Sequence, residues 1–137
     1  MILSLDDIDK LRRSRPRRLL KVGELPNAVR EALGLSVPDV HLSTESLEHI
    51  NKDHPDVNDF DLLHLPFAIK NGLLLRENKK PSILLAFYKV PEDERYYIAA
   101  FKLAEKGSEI WLSSFYRAKK NQHIKLRRKA TVLQERR

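Results

Sequence analysis

The spacing of apolar residues changes near residue 72, and that change predicts helices first and strands after. In residues 1–11, Ile2, Leu5, Ile8 and Leu11 recur every third position, with Asp6, Asp7 and Asp9 early in the run. This is the pattern of a short amphipathic helix whose acids complement its N-terminal dipole. Arg12-Arg13-Ser14-Arg15-Pro16-Arg17-Arg18 then reads as a basic hinge, because proline stops a helix and like charges repel. Pro26 suits the start of a helix running to Leu33, with Gly34 as its C-terminal stop. The stretch from Val37 to Leu42 is short and extended, and Pro38 favours an edge or a strand start.

Ser43 or Thr44 caps the next helix, Glu45 sits in its first turn, Leu47 and Ile50 give it a buried side, and Pro55 ends it. Residues 58–69 carry Phe60, Leu62, Leu63, Leu65 and Phe67, interrupted by Pro66, and predict a second short helix leading into Gly72. Beyond Gly72 the period becomes two. Leu73–Arg76, Ile83–Val90, Tyr96–Ala104 and Ile110–Tyr116 read as four strands, joined by turn-forming segments at 78–81, 91–94 and 105–108. Connections this short favour an antiparallel meander. From Lys119 a helix is expected through Ile124, with a frayed end after it. The fold class expected is therefore α+β, with N-terminal helices packed on a four-stranded, mostly antiparallel sheet. The expected divisions are a basic helix and hinge over 1–21, a domain over 22–125 and a basic tail over 126–137.

Composition narrows the function. A chain of 137 residues is one domain's worth and buries a single core without staples. The absence of cysteine excludes disulfide frameworks, thiolate metal sites and cysteine nucleophiles. No apolar run approaches the roughly 18 residues of a membrane span, so no membrane partner is expected. The N-terminus lacks the basic, apolar and small-residue order of a signal peptide, which points to the cytoplasm.

The net charge of +7 is unevenly placed. Residues 1–21 and 117–137 together carry a net +12, whereas 22–116 carry a net −5. Basic flanks on a mildly acidic body point to contact with a polyanion, the plainer alternative being solvated ends. Arg12, Arg13, Arg15, Arg17, Arg18, Lys119 and Lys120 are the candidate nucleic-acid contacts.

The candidate chemistry lies in two segments about sixty residues apart. His49 and His54 fall in and just after the third helix, and imidazole transfers protons near neutral pH. Five positions apart on an ideal helix, they diverge by about 140° and do not share a metal unless the helix ends between them. His41 could add a third ligand, but His-Glu-x-x-His is absent, and neither a metal nor another cofactor is expected. In the last strand, alternation places Ile110, Leu112, Ser114 and Tyr116 on one face and Trp111, Ser113, Phe115 and Arg117 on the other. Ser114 ends an otherwise apolar face, and a hydroxyl there needs a partner. Lys102 interrupts the apolar strand before it, either as a solvent-facing lysine or as a phosphate ligand.

The run from His49 through His54-Pro55 to Phe60-Asp-Leu-Leu-His-Leu65-Pro66 and the ending Lys102 … Glu109-Ile-Trp-Leu-Ser113-Ser114-Phe115-Tyr116-Arg117 together resemble the phage-associated branch of the barnase–EndoU–colicin–RelE nuclease superfamily. The resemblance covers roughly residues 38–125 and rests on the order and spacing of short motifs. It implies a metal-independent ribonuclease with helices on an antiparallel sheet, serving as a toxin in phage or bacterial conflict. A toxin of that kind implies RNA (tRNA or mRNA) as target, an antitoxin or immunity protein as partner, and action in the cytoplasm, its own or a target cell's. By position it assigns function to His54, Lys102, Ser114 and the strand end, Tyr116 or Arg117. Many relatives have a histidine where Tyr116 stands, and the resemblance then implies that His49 or His41 replaces it as the second proton-transfer group.

Metal-free RNA cleavage needs a base for the 2′-hydroxyl, cations for the crowded phosphate and an acid for the leaving 5′-oxygen. His54, Lys102 and Arg117, with Ser114 and Tyr116 as orienting groups, are the expected set, and Phe115 or Tyr116 could stack a base. Two non-catalytic alternatives stand beside it: a nucleic-acid-binding module with the same fold, and an antitoxin-like interaction protein whose basic ends bind an acidic partner.

Overall fold

The computed structural model describes residues 2–14, 18–104 and 109–136. Its elements in chain order are α1 (Leu5–Arg13), β1 (Leu19–Glu24), α2 (Asn27–Ala32), β2 (Asp39–Ser43), α3 (Thr44–Asp53), α4 (Asp59–Leu62), α5 (Leu65–Asn71), β3 (Leu73–Glu77), β4 (Ile83–Lys89), β5 (Tyr96–Leu103), β6 (Ile110–Ala118), α6 (Gln122–Lys129) and β7 (Ala130–Gln134). The expected hinge at Pro16, with Arg15 and Arg17, and the turn at 105–108 lie outside the described residues.

Local chemistry accounts for most boundaries. Ser4 caps α1 in a capping box with Asp7, and Ile8 and Leu11 are buried. Ser43 caps α3 by accepting from the Ser46 N–H at 3.0 Å. The chain leaves that helix at His54, whose own N–H still donates to the Ile50 carbonyl at 2.9 Å, and Pro55 cannot continue the ladder. The single helix expected over 58–69 is two short ones. Pro66 lies in the first turn of α5, where a missing N–H leaves no helical bond unmade, so it starts a helix rather than interrupting one. Gly34, at φ +70°, ends α2 in the left-handed conformation with open space around it, so backbone conformation rather than crowding explains the glycine.

The sheet departs from the expected four antiparallel strands. Among the described residues it has seven, in the order β1-β2-β6-β5-β4-β3-β7, and it is mixed. The meander β3-β4-β5-β6 is antiparallel throughout. β2 adds to its edge in parallel with β6 through two pairs, Val40↔Ile110 and His41↔Trp111, and β1 pairs antiparallel with β2. At the other edge, β7 pairs antiparallel with β3. The expected frayed tail is thus the rest of α6 and an edge strand. The divisions expected at 21/22 and 125/126 fall inside β1 and α6.

Two apolar cores follow from the two faces of the sheet. Helices α1–α5 bury one face, where Val22, Val40, Leu42, Leu74, Leu84, Tyr97, Phe101, Leu112 and Phe115 meet Ile8, Leu47, Ile50, Leu62 and Ile69. On the other face α6 packs against β3 and β7 and buries Leu126 with Leu75, Phe87 and Ile98.

Gly72 links α5 to the meander. A Cβ there would lie 2.5 Å from the Ala68 carbonyl oxygen and 3.1 Å from that of Phe87, both backbone atoms. Gly72→Ala is therefore expected to lower unfolding free energy by about 1–3 kcal/mol, the usual cost of overpacking. Urea unfolding measures it, and an unchanged midpoint would mean that the α5–β4 approach relaxes freely.

Candidate functional site

β6 organises the site, and a bulge decides which of its side chains come together. Ala100 pairs with Ser114 but Phe101 pairs with Leu112, so Ser113 is the extra residue of a β-bulge. Its hydroxyl donates to the Ala100 carbonyl at 3.0 Å. The bulge reverses the expected alternation beyond it. Ile110, Leu112 and Phe115 belong to the helix-covered core, whereas Tyr116 and Ala118 pack with the second core, and Ser114 faces that way opposite Ala100. Ser114 and Tyr116 therefore do not share a face with Leu112.

On this second face Lys102 sits between Ile83 and Trp111 in register, two positions along β5 from Ala100. Lys102 is exposed, while Ser114, Tyr116, Trp111 and His41 are half-buried, so the β2–β6 end of the face meets solvent. Lys102 thus lies on the same face as Ser114, with the bulge between their ladder positions.

His54 arrives from the side. β2 leaves β6 after Trp111, and α3 packs along β6 there. At the end of α3 the half-buried His54 ring stacks on Tyr116, with centroids 5.0 Å apart and planes at 25°. Burial pushes the Tyr116 phenol above its ordinary range, so it is a neutral hydrogen-bond donor at physiological pH. His41 and Trp111 extend the strip, with ring centroids at 6.5 Å. His49 is exposed on α3, about 140° around an ideal helix from His54.

Arg117 points to the opposite face. Its guanidinium donates to the Asp61 carboxylate at 2.9 Å, and Asp61 is 1% exposed. The buried Tyr97 hydroxyl donates to the other carboxylate oxygen, and the Asn58 N–H donates to Asp61 at 2.8 Å. Burial raises the Asp61 carboxyl, but the bonds from Tyr97, Asn58 and Arg117 outweigh it and hold it below the usual range. His64, half-buried, stacks on Tyr97 at 5.3 Å, and burial lowers its pKa. Sequence reasoning missed this network, although Asn58-Asp59-Phe60-Asp61 spells a capping box that places Asp61 at a helix start.

The basic ends differ from one another. Arg12 is paired with Asp59 and Arg13 with Asp9. Arg18 is exposed, and Arg15 and Arg17 lie outside the described residues. Lys119 and Lys120 are exposed just past β6. Among the described residues no group of three or more His, Asp or Glu is placed to hold a metal, and no helix is long and apolar enough to cross a membrane.

The open end of the second face thus gathers an imidazole, a phenol, a hydroxyl and an ammonium along one strand and its neighbours, with an indole beside them. Such a set can donate to, neutralise and exchange protons with a bound phosphodiester. No protein-family model matches this chain, and neither a curated protein nor a solved structure matches it.

Proposed function

We propose that this protein is a metal-independent endoribonuclease whose open sheet face cuts RNA. The carrying observation is His54 stacked on Tyr116 on the face that also presents Ser114 and Lys102. The sequence resemblance to the phage-associated barnase–EndoU–colicin–RelE nucleases supports the same reading, and with it a toxin's role in phage or bacterial conflict, opposed by an antitoxin or immunity protein.

In this reading the 2′-oxygen attacks the adjacent phosphorus as its proton passes to a base, and the bond from phosphorus to the 5′-oxygen breaks as that oxygen takes a proton from an acid. The product is a 2′,3′-cyclic phosphate and a free 5′-hydroxyl. His54 serves one of the two proton transfers. Lys102 offsets the charge gathering on the phosphate, and the Ser114 hydroxyl donates a hydrogen bond to one of its oxygens. Tyr116, neutral and in contact with His54, supplies the second proton where a relative would use histidine. Trp111 offers a ring for an unpaired base.

The purified protein is expected to cleave total RNA in EDTA and to leave 2′,3′-cyclic phosphate ends. Cleavage that requires magnesium contradicts the mechanism. Binding without any cleavage at micromolar protein would transfer the site to the non-catalytic binding reading.

A further inference from the structure

Among the described residues, five cations that hold no carboxylate gather on α6 and a turn some fifty residues earlier. The Asn78 N–H donates to the Lys129 carbonyl at 3.0 Å, and the Thr131 hydroxyl donates to the Asn78 side-chain oxygen at 2.7 Å. These bonds set the β3–β4 turn, with Lys79 and Lys80, against the C-terminal end of α6, with Arg128 and Lys129. Lys125 lies one turn back along the helix. All five are exposed, and among the described residues none is in an ion pair. The nearest acids in sequence are Glu135, which Arg127 holds, and the half-buried Glu77, which pairs in register with Ala130. The described N-terminal cluster contrasts with this, since Lys10, Arg12 and Arg13 each hold a carboxylate.

The patch is rigidly mounted. Leu126 and Ala130 are buried in the second core, and β7 is hydrogen-bonded to β3, so Lys125, Arg128 and Lys129 project from an anchored helix, and the Asn78 bonds hold Lys79 and Lys80 beside it. That helix covers the same sheet face that presents Lys102, Ser114 and Tyr116 at its uncovered end. An anionic membrane would also attract the charge. However, a helix lying in a membrane surface needs an apolar face, and α6 offers only Ile124 among its exposed residues.

We propose that Lys79, Lys80, Lys125, Arg128 and Lys129 form an RNA-backbone contact that holds the strand as it leaves the open face. This rests on the ribonuclease reading above and extends it to how the substrate is held. Phosphates are recognised there by charge and not by base, so the contact favours length of RNA over sequence.

The test uses the whole chain, a labelled unstructured RNA oligomer and binding measured across a range of salt. Each phosphate contact on a single strand contributes about 0.7 to the slope of log K against log salt. The variant Lys79→Ala/Lys80→Ala/Arg128→Ala/Lys129→Ala is expected to lower that slope by about 2–3, with its circular dichroism and thermal midpoint unchanged. Arg12→Ala/Arg13→Ala, which removes charges already matched by carboxylates, is expected to lower it by less. A parent that binds RNA and a patch variant with an undiminished slope would overturn the contact and leave the ribonuclease reading standing. A parent that neither binds nor cuts RNA would overturn both. If the patch variant instead loses binding to phosphatidylserine vesicles while its RNA slope is unchanged, the patch faces a lipid surface and the RNA contact is wrong.

Discussion

Asp61→Ala is expected to lower unfolding free energy by about 3 kcal/mol. The carboxylate is nearly inaccessible, and its removal leaves the fully buried Tyr97 hydroxyl without its acceptor. An orphaned buried polar group costs roughly 1–3 kcal/mol, and the Asn58 N–H loses its acceptor as well, while the Asn58 side chain still caps α4. Arg117 adds little, because its side chain is 42% exposed and can turn to water. Tyr97→Phe should cost less, since Asp61 keeps Arg117 and the Asn58 N–H. The sign of the pH dependence follows from the folded carboxyl lying below its unfolded value. The contribution is fully present above the unfolded pKa, roughly 4, and is lost as pH falls through the lower folded value. Below pH 4 the parent should therefore lose stability more steeply than Asp61→Asn. Denaturant unfolding across pH 2–7 measures both effects. Equal stability of Asp61→Ala and parent at pH 7 would show that α4 does not depend on this network.

The largest effect on activity is expected at His54. His54→Ala should lower RNA cleavage by about 10²–10⁴, the usual size of a general acid–base contribution, with RNA affinity kept within a few fold. Because the ring also stacks on Tyr116, folding must be checked by the thermal midpoint. His49→Ala is the informative companion, being exposed on the same helix, so its loss removes an imidazole without removing packing. If His49→Ala is the inactive variant and His54→Ala cuts normally, the proton-transfer role belongs to His49. His64 makes a poorer comparison, because its ring is packed against Tyr97 beside the Asp61 network and its replacement would disturb the fold.

The meander was legible because four strand-length apolar runs are separated by turn-forming segments, and the structure pairs all four in order. The outer strands were not. β1 contains Gly23 and a register shift that breaks its alternation, and β7 is a short apolar stretch among basic residues that resembles a solvated tail. Both edges are fixed by long-range pairing, which no local window contains. Candidate site residues could be named, but not their grouping. Period two continued through Ser113 groups Ser114 and Tyr116 with Leu112, whereas the extra residue turns them to the opposite face. Nor does sequence tell which cations are already neutralised. Arg12 meets Asp59, 47 residues away, and only the folded chain brings them together.

The bond between Asn78 and Thr131 joins groups 53 residues apart, and β2 meets β6 across a still longer stretch of chain. The meander closes through short turns and can form early, while both sheet edges wait on slower closures of long loops. During synthesis the turn bearing Lys79 and Lys80 emerges well before the helix bearing Arg128 and Lys129. The five cations become one surface only once residue 134 has docked in the sheet. A nascent chain would then hold a formed meander while these five charges are still apart, and the charged surface is assembled only with the closing of the fold.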